Sequence, residues 1–336
     1  LVAQDAAMFE PELTFELACA RWWNEVGQFR KDHDRCRKNL KWLLKQFGTT
    51  IMLHDITPSR IAHMVAARRG EASQRNKKDR QVRISNSTVN RTAVQPLRTI
   101  IVTARERWNV RVARIKWSQF MLKEPQERVR EATVEEEAAI NDRLDRGYGD
   151  AVDFAFKTGA RKMEVVGLAW SKINWFARDG KGEFTLDGKG DKSRTLPMTP
   201  YVRELLRRQL GRHKVNVFTF ASAYTRTGKN GIQYVKGEHY PLTMEGFASA
   251  VKRAVAAAGV ENFRLHDMRH TAATRMARNT NLKVVQRTLG HSRYETTLRY
   301  AHVQQEDIAG ALEAAERGAK SYTESYTEAA DKAASD

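Results

Sequence analysis

Cysteine is scarce in this chain: among 336 residues only Cys19 and Cys36 occur. Two thiols build neither a disulfide framework nor a four-ligand zinc site, so a reducing cytoplasm is expected and both side chains read as buried apolar filler. Proline (7 residues) and glycine (20) are also few, while hydrophobic residues make up 41%. That balance excludes collagen-like and low-complexity chains and describes a folded protein. No run of 18 apolar residues occurs, and no segment joins a charged start, an apolar middle and a small-residue cleavage site. Membrane spanning and export are therefore not expected. A phosphate-binding loop of the GxxxxGK type is missing, as is an acidic cluster suited to magnesium, so neither cofactor nor metal is expected. Acids are the last shortage: 40 Asp and Glu face 58 Lys and Arg, a net charge of +18. Such an excess points to a polyanionic partner, since each cation set on a phosphate releases condensed counterions.

The length suits two domains, each with its own core. Phe15, Ala18, Trp22 and Val26, then Leu40, Leu43, Leu44 and Phe47, predict helix from Thr14 to Phe47, closed by Gly48. Thr57-Pro58 carries the chemistry of a second helix start, and a third helix runs from Ser87 or Thr88 toward Trp108. The polar stretch from Glu71 to Ile84 between them reads as a loop. Residues 75 to 114 hold eleven Lys or Arg against Asp79 and Glu106, which is +9 in forty residues. The plain reading of a charge run is a solvated helix face. One so one-sided, in a chain already basic, reads better as a phosphate-contacting surface, with Arg75, Lys77, Lys78, Arg80, Arg83, Arg91, Arg98 and Arg105 as its candidates.

From Lys123 to Asp145 acids dominate, Pro125 marks a break, and Thr133 with Glu136 forms a capping-box pattern. The domain boundary is placed between about 116 and 132. Helices are expected near 150–157 and 161–168. Short alternating stretches at 172–176, 182–187 and 194–198 then read as a small antiparallel sheet. The remainder is mostly helical, with basic or polar loops around 211–241. The class is mainly α with a small antiparallel β-sheet, that is, α+β.

Five places in the second half hold the cations and titratable groups that phosphate transfer needs. They are Thr158-Gly159-Ala160-Arg161 with Glu164, the glycine-flanked Lys189 of Leu186 to Pro197, Leu265-His266-Asp267-Met268-Arg269-His270, Leu289-Gly290-His291-Ser292, and Arg299-Tyr300. Singly, each has an ordinary explanation. His266 and His270 make an i, i+4 pair but lack a third zinc ligand; His291 follows a helix-ending Gly290; and Tyr300 could be a core aromatic.

Taken in order, with their flanks, these residues resemble the tyrosine recombinases: phage and mobile-element integrases and chromosome-dimer resolvases. That family's set is an arginine, a hairpin lysine, His-x-x-Arg, a histidine or tryptophan, and a tyrosine. The resemblance implies Arg161, Lys189, His266, Arg269, His291 and Tyr300 as catalytic residues. Arg161 and Arg269 would fork onto phosphoryl oxygens, a geometry lysine copies poorly. Lys189 would protonate the leaving 5′ oxygen, His266 would accept or relay the Tyr300 proton, and His291 would donate to the phosphate. His270 and His302 are read as structural or supporting, and Lys172, where the family often has an acid, as peripheral. A covalent 3′-phosphotyrosine bond would conserve the phosphodiester energy, so strand exchange needs neither ATP nor a metal.

The resemblance further implies double-stranded DNA with attachment or core-type sites as partner and a homotetramer on synapsed DNA. A DNA-bending host factor and a directionality factor are possible companions. It divides the chain into a lead segment (1–12), a helical core-type DNA-binding domain (13–118), a linker (119–132), a catalytic domain (133–310) and a helix end with tail (311–336). Ile308, Leu312 and Ala315 share a helical side there, for docking on a neighbouring protomer or on their own domain. Many integrases carry a further amino-terminal arm-binding domain, which this chain either lacks or has lost. Integration or excision of a mobile element is the favoured activity, because the basic stretches near 71–84 and 211–241 exceed a minimal resolvase. Chromosome-dimer resolution, a type IB topoisomerase and a catalytically dead DNA-binding relative are the alternatives.

Overall fold

The computed structural model describes residues 12–73, 82–125, 128–188, 192–228, 231–301 and 316. Within it the chain divides into two compact units, Leu1–Glu127 and Arg128–Asp336. Both are built mainly of helices, and the second also carries small antiparallel sheets, the expected class.

In the first unit, the Thr14 side chain caps helix α1 (Phe15–Glu25), accepting from Leu17 N–H at 3.3 Å. The single helix expected over 14–47 is in fact two. α1 ends at Val26, a 3₁₀ turn spans Gly27–Phe29, and α2 covers His33–Phe47. A β-carbon at Gly27 would lie 2.7 Å from the Trp22 ring, so the turn forms where the indole closes over bare backbone. Apolar spacing continues on both sides of that turn, which is why periodicity alone did not reveal it. Helix α3 (Pro58–Gly70) starts at its first-turn proline. Beyond it α4 (Asn86–Val89), a π turn (Asn90–Val94) and α5 (Gln95–Arg107) run on from one another. At the π turn Asn90 donates to the Leu122 carbonyl and accepts from Leu122 N–H, both at 2.9 Å, tying the outgoing segment to this helix. Phe15, Trp22, Leu43, Leu53, Ile61, Leu97 and Ile100 form the core.

The second unit opens with the expected capping box: Thr133 Oγ1 accepts from Glu136 N–H and Glu136 accepts from Thr133 N–H. Three helices follow: α6 (Val134–Asp142), α7 (Tyr148–Thr158) and α8 (Lys162–Val166). The expected sheet is β1 (Ile173–Asn174), β2 (Glu183–Asp187) and β3 (Ser193–Pro197), antiparallel, with Phe184 opposite Leu196. Lys172 pairs with Asp187 at 3.0 Å, so the basic residue noted in the sequence fastens the end of β2.

After α9 (Pro200–Arg207), the stretch expected to be loop contains four short strands. β4 (Thr219–Ala221) pairs with β7 (His239–Pro241), and β5 (Arg226–Thr227) with β6 (Gln233–Tyr234). Strands of two or three residues are too short to show alternation. Their cohesion comes from side chains distant in sequence: Phe220, Tyr234 and Tyr240 pack together, the two tyrosine rings 4.6 Å apart. Four helices complete the unit: α10 (Met244–Ala257), α11 (Asp267–Asn279), α12 (Leu282–Leu289) and α13 (Glu295–Leu298). The main core joins α7, α10 and the sheet through Phe154, Phe184, Phe218 and Phe247, and a smaller cluster gathers Ala273, Ala277, Val285, Leu289 and Tyr300. Among the described residues no helix is long and apolar enough to cross a membrane. The Ile308, Leu312 and Ala315 stripe and the tail lie outside the described residues.

Candidate active site

Two helix ends meet at the site, both turned by glycines in the left-handed conformation. α7 terminates at Gly159 (φ +66°) and α12 at Gly290 (φ +64°), where L side chains are strained. These turns aim their carbonyls at one buried side chain. Arg269, on α11 and 3% exposed, donates from Nη1 to Gly159 O and from Nη2 to Leu289 O, each at 2.6 Å. Each of those nitrogens keeps a second N–H. Burial, and then the positive fields of Arg161 and Arg194, pull the Arg269 guanidinium down to about 9, still protonated at neutral pH.

Arg161 stands just before α8, and its backbone N–H donates to Glu164 Oε2 at 2.7 Å. Its guanidinium reaches Glu164 Oε1 at 2.8 Å and Gly290 O at 3.3 Å. Arg194, on β3, forks onto both oxygens of the same carboxylate at 2.8 Å and donates from Nε to Thr288 O at 2.7 Å. The Glu164 side chain is fully buried. Burial pushes its carboxyl up, but the Arg194 and Arg161 hydrogen bonds and charge outweigh this and hold it at about 2.

Beyond Gly290 the chain turns back on α12: His291 N–H donates to Gln286 O, and Gln286 Nε2 to His291 O, both at 3.1 Å. The His291 Nδ1 lies 2.8 Å from Thr297 Oγ1. Burial, then the charges of Arg269 and Arg161, lower His291 to about 3, so it is neutral at physiological pH. Arg161, Lys192, Arg194, Arg287 and His291 line a cavity of about 660 Å³.

The structure thus brings Arg161, Arg269 and His291 together. His266 sits at the amino-terminal cap of α11 rather than within it. Lys189 lies outside the described residues, but Gly188 and Lys192 on either side of it line the same cavity. Tyr300 is 1% exposed, and its hydroxyl lies 2.8 Å from Nδ1 of His270, whose ring meets the His266 ring edge-on at 4.9 Å. His270, read from sequence as supporting, is therefore in direct contact with the candidate nucleophile. Glu164 and Arg194 escaped notice as a pair. The only signal was an acid one turn after Arg161 and a basic residue after the hairpin.

In the first unit Arg83, Arg91, Arg98 and Arg105 are exposed, as a nucleic-acid surface requires. Arg91 and Arg98 line a groove of about 470 Å³ together with Arg30 and Arg35, two cations the sequence reading did not single out. Arg75, Lys77, Lys78 and Arg80 lie outside the described residues.

Residues 119–307 match the model of the phage integrase family. The chain is 24% identical to the integrase of Salmonella phage P22 over 306 residues, covering 87% of this chain and 77% of that protein. It is 28% identical to the tyrosine recombinase XerD of Lacticaseibacillus casei over 158 residues, 46% of this chain and half of that one. Among solved structures, the Tn1549 transposon integrase in complex with circular intermediate DNA superposes with a TM-score of 0.60 at 20% identity, over 86% of this chain and 95% of that one. A lambda integrase dimer bound to a COC′ core site gives 0.62 at 16% identity, over 89% and 79%.

Proposed function

This chain belongs to the phage integrase family, and from that premise we propose that it cleaves and rejoins duplex DNA as a site-specific recombinase through a covalent 3′-phosphotyrosine intermediate. The observation that carries the reading is the charge imbalance around Glu164. Three guanidiniums, Arg161, Arg194 and Arg269, act on one another beside one buried carboxylate. Such an excess of fixed positive charge suits a phosphodiester whose non-bridging oxygens gain charge in the transition state.

In this mechanism Arg161 and the remaining N–H groups of Arg269 hold the non-bridging oxygens. If Nδ1 of the neutral His291 accepts from the Thr297 hydroxyl, its Nε2–H is left to donate to the phosphate. Tyr300 attacks phosphorus, its proton passes to His266, and the bond to the 5′ oxygen breaks as Lys189 supplies a proton to it. The 5′ hydroxyl of a partner strand then reverses the step. Because Tyr300 is buried against His270, attack requires the ring to leave that position for the phosphate.

Residues 13–118 would grip the duplex through the basic groove of Arg91 and Arg98, and residues 133–310 would carry the chemistry. Exchange between two sites would use four protomers, with host bending and directionality factors as possible companions, in the cytoplasm where the DNA lies. Integration or excision of a mobile element is the role favoured. The similarity to XerD supports dimer resolution as a second reading.

The test incubates the full chain with duplex fragments covering the DNA on either side of its coding sequence. Adducts that survive denaturing detergent are then sequenced. Expected are adducts at one discrete site, lost in Tyr300→Phe while DNA binding persists. An adduct that survives in Tyr300→Phe refutes the assignment of the nucleophile. Relaxation of plasmids without exchange between paired sites would instead mark a topoisomerase.

A further inference from the structure

Glu164 receives four hydrogen bonds: from Arg161 N–H, from Arg161 Nη1, and from Nη1 and Nη2 of Arg194. A carboxylate offers about four lone-pair positions, so this one is filled, half of it by Arg194. Arg161 can therefore give the carboxylate only one nitrogen of its fork, while Nη2 donates to Gly290 O and the guanidinium stays on the cavity wall. Without Arg194, two acceptor positions would open beside Arg161. Because a bidentate arginine–carboxylate pair is a strong arrangement, the Arg161 fork would close onto Glu164 and leave the phosphate position.

We propose that Arg194 is a positioning residue for phosphate transfer: by occupying Glu164 it keeps the Arg161 guanidinium turned toward the phosphate. The inference rests on the function proposed above. Its third bond, Nε to Thr288 O, reaches the turn that also gives Leu289 O to Arg269 and leads through Gly290 to His291. One side chain thus holds the Arg161 turn, the His291 turn and strand β3 in register. Only arginine fits this task, since a lysine ammonium cannot present a planar fork to one carboxylate and a further N–H to a carbonyl on another element. Gly290 leaves room for it: a β-carbon there would lie 3.0 Å from Arg194 Cδ.

The experiment measures single-turnover cleavage of the duplex identified above by the wild-type chain, Arg194→Met, Arg194→Lys and the double variant Glu164→Gln/Arg194→Met. Each protein receives two substrates, the phosphodiester and a methylphosphonate at the scissile position. In the latter a methyl group replaces one non-bridging oxygen and removes the charge that Arg161 would meet. Arg194→Met should slow phosphodiester cleavage about 100-fold, the loss typical of one misplaced transition-state donor, with DNA affinity unchanged. Arg194→Lys should not restore the rate. On the methylphosphonate, wild type and Arg194→Met should cleave alike. The double variant should be faster than Arg194→Met on the phosphodiester, because an uncharged amide in place of the carboxylate no longer draws Arg161 in; if Arg194→Met does not fold, Arg194→Lys takes its place in both comparisons.

Wild-type rates in Arg194→Met, a defect that persists on the methylphosphonate, or a double variant no faster than the single one would each overturn the proposal. Rescue confined to a 5′-bridging phosphorothiolate, whose thiolate leaves without a proton, would also overturn it by assigning Arg194 to the leaving group. Failure of the functional reading is distinct from all of these, because the wild-type chain would then form no adduct with any duplex.

Discussion

Replacing Glu164 by glutamine gives the sharpest test of the electrostatics at the site. The carboxyl is held at about 2 against an ordinary 4.5, and its side chain is fully buried, so little solvent screening applies. A folded value below the unfolded one means that the stabilisation is complete above about pH 4.5 and is lost as the pH falls toward 2. Carried through that linkage, the shift corresponds to roughly 3 kcal/mol at pH 7 and about 2 kcal/mol at pH 3.5. Other acids titrate in the same window, so the quantity to read is the difference between wild type and Glu164→Gln. Hydrogen–deuterium exchange of peptides spanning α8 and α11, at pH 7 and at pH 3.5, isolates this region from the rest of the chain. The gap in opening free energy between the two proteins should narrow by about 1 kcal/mol at the lower pH. A gap of equal size at both values would show that Glu164 acts by shape alone and would refute the charge account.

Gly290→Ala would place an L residue at φ +64° with its β-carbon 3.0 Å from Arg194. A cost of about 1–2 kcal/mol or more is expected, read as a lower midpoint in urea, together with slower adduct formation. Arg91→Ala/Arg98→Ala removes two exposed cations from the groove of the first unit. If both meet phosphates, the slope of log K against log salt should fall by about 2, and an unchanged slope excludes them from the interface. His270→Ala deletes the 2.8 Å bond to the Tyr300 hydroxyl. A stability loss of about 1–3 kcal/mol is expected in chemical denaturation, and a neutral result would deny that this histidine holds Tyr300 in place.

What could be read from the sequence was whatever is local. Gly290 as a left-handed helix end, the Thr133–Glu136 capping box and the hairpin between β2 and β3 each depend on residues within a few positions, and each is present. The helical break at Gly27 was hidden because apolar spacing continues on both sides of it, and the packing of Trp22 over the glycine is a tertiary fact. The short strands between 219 and 241 were hidden for the complementary reason: their cohesion comes from Phe220 meeting Tyr234 and Tyr240 across turns. At the site, Arg161, Arg269 and His291 were legible because motif order carries them. Glu164 and Arg194 were not legible as partners, since they lie 30 residues apart and their hydrogen bonds exist only once β3 packs beside α8.

That partnership changes what the net charge of +18 means. Residues 75–114 carry +9 and residues 150–300 carry +14, around an acidic stretch. Under the proposed function, exposed cations such as Arg91 and Arg98 would act additively, weaken with salt and so set affinity. The cations at Glu164 repel one another and are fixed by backbone carbonyls, a state that a single neutralising carboxylate only partly relieves. An anion arriving beside Arg161 and Arg269 would relieve the remainder. Under the proposed function the two basic blocks would divide the work: the first would supply long-range attraction to a polyanion, and the second would store unbalanced positive charge at one point, where a single phosphate would react.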